Sequence, residues 1–339
     1  MKAFAVRELT HPSNIQLTAD LPEPTLKEGE VMVDVYAAGL NYYDILQAQG
    51  KYQIQPPLPF ALGSEFAGRI AEGYPIPPGA PYKPGDRVFG MAPGCYTERV
   101  AVNIGQILRI PDNLSFEQAA GMYITWPTSY EALVGRAELK PGEFVLVTAA
   151  AGGVGMAAVQ LAKGLGAKVI GAAGSQAKLD IVKKFGGADY VVDYTKKGWQ
   201  QEVLKITNGK GVNVIYDPVG MITDCLKCIA WKGRAIVVGF AAGTIEKVPM
   251  NLVLLKNIAI VGIFWGGYAV REPEHMPGVY QTLLDLLTSG RVATPVVYDK
   301  IYSLETIAEG LQALENRKTW GKAIVRIRED TKQASKAKL

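Results

Sequence analysis

The residues best suited to chemistry follow an apolar segment of strand length, FVLVT, which begins at Phe144. The glycine-rich turn behind it contains Gly152, Gly153, Val154 and Gly155. A strand, a glycine turn and a helix in this order place backbone N–H groups where they bind the pyrophosphate of a dinucleotide. Gly152 would let the backbone approach the phosphates, and Gly155 would let the helix pack on the strand. Ala150 stands where the first glycine of G-x-G-x-x-G is expected, so the prediction depends on this context, and a turn without ligand is the alternative.

The end of the next apolar segment indicates which dinucleotide binds. Enzymes that prefer NAD usually carry an acidic residue there, which binds the 2′-hydroxyl of the ribose. In this chain the segment ends AAGS, and no acidic residue follows before Asp180. Ser175 and Lys178 offer a hydroxyl and an ammonium, which suit a 2′-phosphate. NADPH is therefore the predicted cofactor, with Lys178 as a solvated lysine the competing interpretation.

The composition favours a globular enzyme of two domains. The chain has 339 residues, of which 48% are hydrophobic and 20% are charged. Its net charge is +4 with scattered basic residues, so nucleic acid is not indicated as a partner. No signal peptide is recognised. The long uncharged run that starts at Phe144 is interrupted by glycines, so neither a transmembrane span nor a membrane partner is expected.

Cysteine and histidine are too few for a disulfide scaffold or a zinc site. The chain has three cysteines, Cys95, Cys225 and Cys228, and two histidines, His11 and His275. Cys225 and Cys228 have the spacing of a redox or metal motif. We expect both on a helix over residues 223–231, as small buried residues. These counts predict a reducing compartment and no bound metal.

Two patterns of periodicity divide the chain. Residues 1–125 are rich in strands and turns, and Val31, Val33 and Val35 alternate as in a half-buried strand. From residue 126 onward strands and helices alternate, as in a parallel, doubly wound sheet. Further strands are predicted at residues 168–172, 189–194, 212–217, 235–239 and 258–264. Helices are predicted at residues 199–207 and 278–289, and after Ser303. A closing strand at residues 322–327 is expected to return to the first domain.

Five segments carry a resemblance to a known family. They read NYYDILQAQGKY (41–52), LGSEFAG (62–68), PGDRVFG (84–90), DPVG (217–220) and AAGTIEKVPMNLVLLKNIAIVGIFWG (241–266). With AAAGGVG, they resemble the zinc-free medium-chain dehydrogenases/reductases of the NADPH:quinone oxidoreductase (zeta-crystallin-like) family. The resemblance implies an α/β fold, a Rossmann doubly wound parallel sheet plus a GroES-like β-rich domain. It places the GroES-like substrate domain at 1–125, completed by about 267–339, and the Rossmann domain at 126–266.

The resemblance also bears on metal and substrate. Zinc-dependent relatives hold a catalytic zinc with a Cys after a first-domain strand and a His in a Gly-His-Glu segment. Here these positions read Asn41-Tyr42 and Gly63-Ser64-Glu65. Without a metal to polarise a carbonyl, hydride transfer to an electrophilic quinone is favoured over alcohol oxidation. Two alternatives are a reductase of 2-enoyl thioesters or other α,β-unsaturated carbonyls, and an NADPH-binding protein with little turnover.

Site residues are inferred from matching positions in the family. Those expected to bind substrate are Asn41, Tyr42, Tyr52, Tyr123 and Thr128, of which Asn41 and Thr128 also line the nicotinamide pocket. Those expected near the adenosine phosphate are Lys178, Tyr194 and Arg317. Those expected near the nicotinamide or its ribose are Asp217, Val219, Gly239, Phe240, Phe264 and Trp265. For Trp265, core packing is an equally good interpretation.

Tyr52 is the predicted catalytic residue. The resemblance places it over the site of hydride transfer. A phenol has a pKa of about 10, so it can donate a proton to a forming hydroquinone or enolate. Solvent is the alternative donor.

Assembly and location are predicted from two further segments. The apolar residues 257–265 are expected at the edge of the Rossmann sheet, and an exposed apolar edge invites pairing with a second copy. We therefore expect a homodimer. A cytoplasmic location is expected, with the peroxisome as the alternative because Ala337-Lys338-Leu339 resembles a peroxisomal address.

Overall fold

A computed structural model of the chain describes residues 1–53, 55–243 and 245–330. The tripeptide Ala337-Lys338-Leu339, which resembles a peroxisomal address, lies outside the described residues. The chain divides into two compact units. The first contains Met1–Tyr123 and the described residues from Val297 onward, and the second is Ile124–Val296.

The first 123 residues, apart from Ile54, form strands with two short α-helices. The strands are β1 (Ala3–Val6), β2 (Leu17–Thr18), β3 (Glu30–Gly39), β4 (Phe60–Ala61), β5 (Glu65–Ile70), β6 (Arg87–Met91), β7 (Arg99–Asn103) and β8 (Ile107–Arg109). The helices are α1 (Tyr42–Ala48) and α2 (Phe116–Ala120). Single turns of 3₁₀-helix occur at Pro12–Asn14 and Ile104–Gln106.

Strands and helices alternate in the second unit. The strands are β9 (Phe144–Val147), β10 (Lys168–Ala173), β11 (Tyr190–Asp193), β12 (Val212–Asp217), β13 (Ile229–Val237) and β14 (Ala259–Gly262). The α-helices are α3 (Thr125–Glu131), α4 (Gly153–Gly164), α5 (Gln176–Ile181), α6 (Trp199–Ile206), α7 (Ile222–Cys225), α8 (Met250–Lys256), α9 (Trp265–Arg271) and α10 (Met276–Thr288). Wider π-turns at Ala132–Arg136 and Val182–Gly186 continue α3 and α5, and a 3₁₀ turn at Leu226–Cys228 continues α7.

After Val297 the chain adds three elements to the first unit. They are β15 (Tyr302–Ser303), α11 (Ile307–Glu315) and β16 (Ile324–Arg326). Ser303 caps a 3₁₀ turn, Leu304–Thr306, that leads into α11. Strand β16 pairs antiparallel with β3, with Ile324 opposite Gly39, so the predicted closing strand does return to the first domain.

The sheet of the second unit has the predicted Rossmann topology. Its order is β11-β10-β9-β12-β13-β14, and every neighbouring pair is parallel. Counted within the unit, this is the order 3-2-1-4-5-6 of dinucleotide-binding sheets. All six strands therefore end at one edge, with the reversal of strand order between β9 and β12.

The first unit is built on β3. Its larger sheet has the order β15-β16-β3-β5-β6-β8, and β7 also pairs with β3. A smaller sheet has the order β2-β1-β4. The hydrophobic core of the unit takes residues from both sheets and includes Val31, Val33 and Val35, as their alternation predicted.

The structure differs from the predicted boundaries in two places. Residues 267–296, which we expected to complete the first domain, lie in the second unit, where α10 packs against α3. The helix expected over residues 223–231 ends by Cys228, because the chain from Ile229 pairs with β12 as β13. Trp231 consequently lies on a strand and is 66% exposed.

Among the described residues, no helix combines the length and apolar character needed to cross a membrane.

Candidate nucleotide-binding edge and a buried polar cluster

The glycine turn lies at the carboxyl end of β9 and opens α4. A Cβ atom on Gly155 would lie within 3.0 Å of Ala149 and Ala150 backbone atoms, so only glycine fits this close approach of helix to strand. At Gly152 a Cβ would meet one atom, the Ala149 carbonyl oxygen at 3.4 Å, so protein atoms leave this side of the turn open. Gly153 and Val154 begin the helix. The turn is thus shaped to receive a ligand at the first helical residues.

The strained position of this turn is Ala149. Its φ is 44°, a left-handed conformation that costs a non-glycine residue about 1–2 kcal/mol. Ala150, which replaces the first glycine of the motif, is buried and donates its N–H to the Ala172 carbonyl at 3.0 Å. Ala150 therefore replaces the glycine without losing a backbone hydrogen bond, because its N–H still pairs with β10.

The residues predicted to bind the 2′-phosphate follow β10 and β11. Ser175 is the N-cap of α5, and its hydroxyl oxygen accepts the Lys178 backbone N–H at 3.4 Å. Tyr194 follows the neighbouring strand, and its ring lies beside Gly174, where a Cβ would be 3.3 Å from Cε2. These three side chains thus belong to adjacent strand ends of one sheet. Arg317, the fourth predicted residue, lies in the first unit after α11 and is exposed.

Asp217 organises the turn that follows β12. Its carboxylate oxygens accept the N–H groups of Val219, Gly220 and Met221 and the Thr148 hydroxyl, at 2.5–3.1 Å. All four donors belong to the protein, and the side chain is buried. Asp217 therefore shapes the backbone at this edge of the sheet, and its contact with the cofactor stays a prediction.

The turn after β13 lies against the Asp217 turn. Ala241 donates its N–H to the Pro218 carbonyl at 3.1 Å, and a Cβ on Gly239 would be 3.3 Å from the same oxygen. Phe240, at the tip of this turn, is exposed. The two turns therefore form a continuous backbone surface at the carboxyl edge of the sheet.

Phe264 and Trp265 differ sharply although they are neighbours after β14. Phe264 is 73% exposed, whereas Trp265 is 7% exposed. The Trp265 ring stacks on Tyr268, with ring centroids 5.0 Å apart, and meets Tyr280 edge-on at 6.0 Å. Aromatic packing therefore holds the Trp265 side chain, and its place near the nicotinamide stays a prediction.

The residues predicted to bind substrate belong to both units. Tyr42 begins α1 and is exposed, while Tyr123 is buried and meets Phe89 edge-on at 6.2 Å. Thr128 lies on α3 of the second unit. Its hydroxyl donates to the Ile124 carbonyl at 2.6 Å, which leaves oxygen lone pairs as its means of binding a ligand.

Tyr52 follows α1 and stacks on Tyr43, with ring centroids 5.2 Å apart. Burial, and then the nearby carboxyl of Asp44, raise the pKa of Tyr52 above its ordinary value of 10.0. The phenol is therefore fully protonated at neutral pH and able to donate, but it is a weaker acid than an exposed tyrosine.

A buried cluster of charges surrounds Asn41. Lys322 Nζ lies 2.6 Å from Glu65 Oε1 and donates to Asn41 Oδ1 at 2.7 Å. Asn41 Nδ2 donates to the same Glu65 oxygen at 3.0 Å. Glu65 has no exposed surface, and Lys322 is 7% exposed. Burying an ion pair destabilises the folded state unless other groups form hydrogen bonds with both charges. Asn41 forms one with each of them.

Asp44 adds a second buried carboxyl to the first unit. Its Oδ2 accepts the Tyr96 hydroxyl at 2.5 Å and the Asn41 N–H at 2.9 Å, while its Oδ1 has no hydrogen-bond partner. Burial is the largest influence on this carboxyl and raises its pKa from 3.8 to about 7. Sequence reasoning missed Asp44, Glu65, Tyr96 and Lys322. The available signal was a charged residue next to each of two apolar segments, because Glu65 begins β5 and Lys322 comes shortly before β16.

These residues do not fit a catalytic zinc. The two ligand positions of zinc-dependent relatives carry the amide of Asn41 and the hydroxyl of Ser64, and the Lys322 ammonium lies against the amide. Within the described ranges, no group of three His, Cys, Asp or Glu side chains could hold a metal ion.

Two family models match the chain. One, described as the alcohol dehydrogenase GroES-like domain, matches residues 27–112, and the other, described as zinc-binding dehydrogenase, matches residues 153–289. "Quinone oxidoreductase-like protein 2" of Mus musculus is 36% identical over 337 residues, which cover 96% of this chain and 92% of that protein. The chain belongs to the quinone oxidoreductase family of medium-chain dehydrogenases/reductases.

Other members of this family are similarly close. "Quinone oxidoreductase-like protein 2 homolog" of Nematostella vectensis is 39% identical over 306 residues, 88% of this chain and 82% of that protein. The crystal structure of Escherichia coli quinone oxidoreductase complexed with NADPH matches with a TM-score of 0.83 at 30% identity. It covers 96% of this chain and 100% of its own. The predicted family and the predicted combination of Rossmann and GroES-like domains are thus confirmed.

Proposed function

We propose that this protein is an NADPH-dependent oxidoreductase that transfers a hydride to a quinone without a metal. The observation that carries the proposal is the carboxyl edge of the second unit's sheet. Six parallel strands end there in dinucleotide-binding order, with an open glycine turn at β9 and Ser175 and Lys178 after β10. A 2′-phosphate suits this hydroxyl and ammonium better than a bare 2′-hydroxyl does. The related Escherichia coli enzyme, solved with NADPH, supports the choice of cofactor.

The reaction needs a hydride and a proton for each quinone. NADPH, when bound, supplies the hydride, which carries two electrons. Addition of the hydride to the quinone makes the hydroquinone monoanion, and one proton then makes the hydroquinone. Tyr52 is proposed to donate this proton through its phenol, which is protonated at neutral pH, and to recover a proton from solvent.

Steady-state assays test this activity. Purified protein is mixed with NADPH and a panel of benzoquinones and naphthoquinones, and in parallel with 2-enoyl-CoA substrates. We expect NADPH oxidation that depends on the quinone, with NADH a poorer donor. Turnover of enoyl-CoA alone would contradict the proposed acceptor. Binding of NADPH without turnover of any acceptor would contradict an enzymatic role.

Absence of metal is part of the proposal, because amide and hydroxyl groups stand at the zinc positions of zinc-dependent relatives. Elemental analysis of purified protein should find no stoichiometric zinc, and a chelator should leave quinone reduction unchanged. Stoichiometric zinc whose removal abolishes activity would contradict it.

We further propose a reducing compartment such as the cytoplasm. Its support is that Cys95, Cys225 and Cys228 are buried free thiols, whose pKa values burial raises. The full chain fused to a fluorescent reporter should give a diffuse cytosolic signal, and punctate peroxisomal fluorescence would contradict this location.

A further inference from the structure

Both polar atoms of the Asn41 side chain are held by buried charged groups. Oδ1 accepts from Lys322, and Nδ2 donates to Glu65 and, at 3.3 Å, to the Gly39 carbonyl. An amide nitrogen has two hydrogens, and these two contacts use both. Oδ1 has two lone pairs, of which Lys322 takes one. The hydrogen-bonding capacity that Asn41 retains for a ligand is therefore the second lone pair of Oδ1, which is an acceptor.

The chemistry of the partners fixes the orientation of this amide. An ammonium can only donate and a carboxylate can only accept, so the oxygen must face Lys322 and the nitrogen must face Glu65. If the amide were rotated by half a turn, an N–H would point at the ammonium and the oxygen would face the carboxylate. Both contacts would then be repulsive in a buried, poorly screened site.

Two glycines make room for the lysine that holds the amide. A Cβ on Gly121 would overlap Lys322 Cγ, and a Cβ on Gly39 would lie 2.8 Å from both Lys322 Cε and Glu65 Oε1. Any other residue at either position would displace the ion pair. The pair is thus built into the backbone around the end of β3.

We propose that Glu65 and Lys322 are positioning residues that hold the Asn41 amide as a hydrogen-bond acceptor, so that the ligand group it receives is an O–H or N–H donor. This inference rests on the proposed function, since the place of Asn41 beside the ligand comes from its family position. A quinone carbonyl has no hydrogen to donate and does not fit this acceptor. A hydroxyl of the nicotinamide ribose and a hydroxyl of the hydroquinone product both fit it.

Two substitutions of Asn41 separate an acceptor from a donor. Asn41→Leu removes both polar atoms, whereas Asn41→Asp keeps an oxygen beside Lys322. The second oxygen of Asn41→Asp faces the Glu65 carboxylate, so the buried carboxyl takes up a proton and donates its O–H to Glu65, which leaves no hydrogen for a ligand. Affinity is measured by calorimetry, anaerobically and without turnover, for NADPH and for 1,4-naphthohydroquinone against its dimethyl ether. In Asn41→Leu we expect about a tenfold loss for the ligand that contacts Asn41, the size of one good hydrogen bond. Asn41→Asp should lose less than about threefold.

A paired substitution tests the positioning role. Glu65→Gln with Lys322→Met removes both charges and releases the amide without leaving one buried charge unpaired. Affinity for the same ligand should fall by about five- to tenfold, because the acceptor is no longer held. The matched control is Arg69→Met with Asp330→Asn, which removes another largely buried ion pair of the first unit. Its ligand affinities should stay within about twofold of wild type.

The affinities for NADPH and for the hydroquinone show which of the two ligands donates the hydrogen bond to Asn41. Loss of NADPH affinity alone assigns the contact to the cofactor, and loss of preference for the hydroquinone over its ether assigns it to the product. Equal losses in Asn41→Leu and Asn41→Asp, or an unchanged affinity in the Glu65/Lys322 double variant, would overturn the inference. Wild-type protein that binds NADPH but reduces no quinone would refute quinone as the substrate. The NADPH affinities of the variants would then decide the inference about Asn41. Wild-type protein that binds neither probe would overturn both.

Discussion

Asp44 illustrates how a residue's surroundings change its chemistry. It lies in the first turn of α1, where its carboxyl caps the helix by accepting the Asn41 N–H. Because the side chain is completely buried, its charged form is disfavoured and its pKa rises to about 7. The charged and polar groups that influence this carboxyl come from α1 and its neighbours, namely Tyr96, Asn41, Lys322 and Glu65.

Replacing this carboxyl should change how stability depends on pH. The folded pKa of about 7 exceeds the ordinary 3.8, so between these values the folded protein binds more protons than the unfolded chain. Stability contributed by this group is therefore lost as pH rises from about 4 to 7, by an amount on the order of 4 kcal/mol. Denaturant unfolding of wild type and Asp44→Asn at pH 5 and pH 8 should show the variant gaining relative stability at the higher pH.

A matched control comes from an exposed carboxyl. The Thr195 side chain and backbone lower the pKa of Asp193, so Asp193 stays ionised across this range. Asp193→Asn should differ from wild type by the same free energy at pH 5 and pH 8. A flat difference for Asp44→Asn as well would contradict the raised pKa of Asp44.

The left-handed conformation of Ala149 predicts a stabilising substitution. Glycine adopts a φ of 44° without the steric cost that alanine carries, although it loses more backbone freedom on folding. Ala149→Gly should raise the free energy of unfolding by about 0.5–1 kcal/mol. Thermal or denaturant unfolding measures this, and destabilisation by Ala149→Gly would contradict strain at this residue. Ala150→Gly, at a buried residue with ordinary φ, should not stabilise.

Lys178 should decide the choice between the two nicotinamide cofactors. Lys178→Ala removes a charge-assisted contact to the 2′-phosphate, which NADH lacks. NADPH affinity should fall about tenfold or more, while NADH affinity stays nearly unchanged. Calorimetric titration of both cofactors measures this. Equal affinity of the wild type for NADPH and NADH would refute the assignment.

At the scale of elements, the sequence predicts the strand, glycine turn and helix formed by β9 and α4. It does not predict the buried polar cluster around Asn41. Local periodicity identifies a strand, a glycine turn and a helix, because the pattern lies within one stretch of chain. The buried ion pair joins Glu65, the first residue of β5, to Lys322, which precedes β16 and is far away in sequence, so only the pairing of both strands with β3 brings the two residues together. The helix predicted over residues 223–231 is wrong at Trp231, which lies on a strand, because the segment is apolar enough for either element.

The exposed edge strand β14 carries the proposal of a homodimer. It ends the sheet of the second unit, and the adjoining α8 exposes Leu254 and Leu255 at 78% and 69%. We propose that a second copy covers this apolar surface. Leu254→Lys should shift light-scattering mass from dimer toward monomer. Leu9→Lys, at an exposed leucine of the first unit, should leave the mass unchanged. A wild type of monomer mass would contradict the proposal.

At the scale of the whole molecule, two units contribute different chemistry to the account. The second presents six parallel strand ends and an open glycine turn, which suit a dinucleotide. The first carries Tyr52 and the acceptor amide of Asn41. The family relationship, confirmed over nearly the whole chain, explains why sequence motifs alone predicted both folds. That the substrate is a quinone is a proposal, because the residues expected to bind it belong to both units and no local sequence pattern predicts how their side chains combine.

Single-turnover oxidation of NADPH tests the central claim most directly. The protein is loaded anaerobically with NADPH, or with NADPH deuterated at the transferred position of nicotinamide C4, and mixed with excess naphthoquinone. The account predicts one hydroquinone formed for each NADPH oxidised, and slower oxidation of the deuterated cofactor because the hydride bond breaks in the step observed. NADPH oxidation that is independent of quinone, or none at all despite bound NADPH, would contradict it.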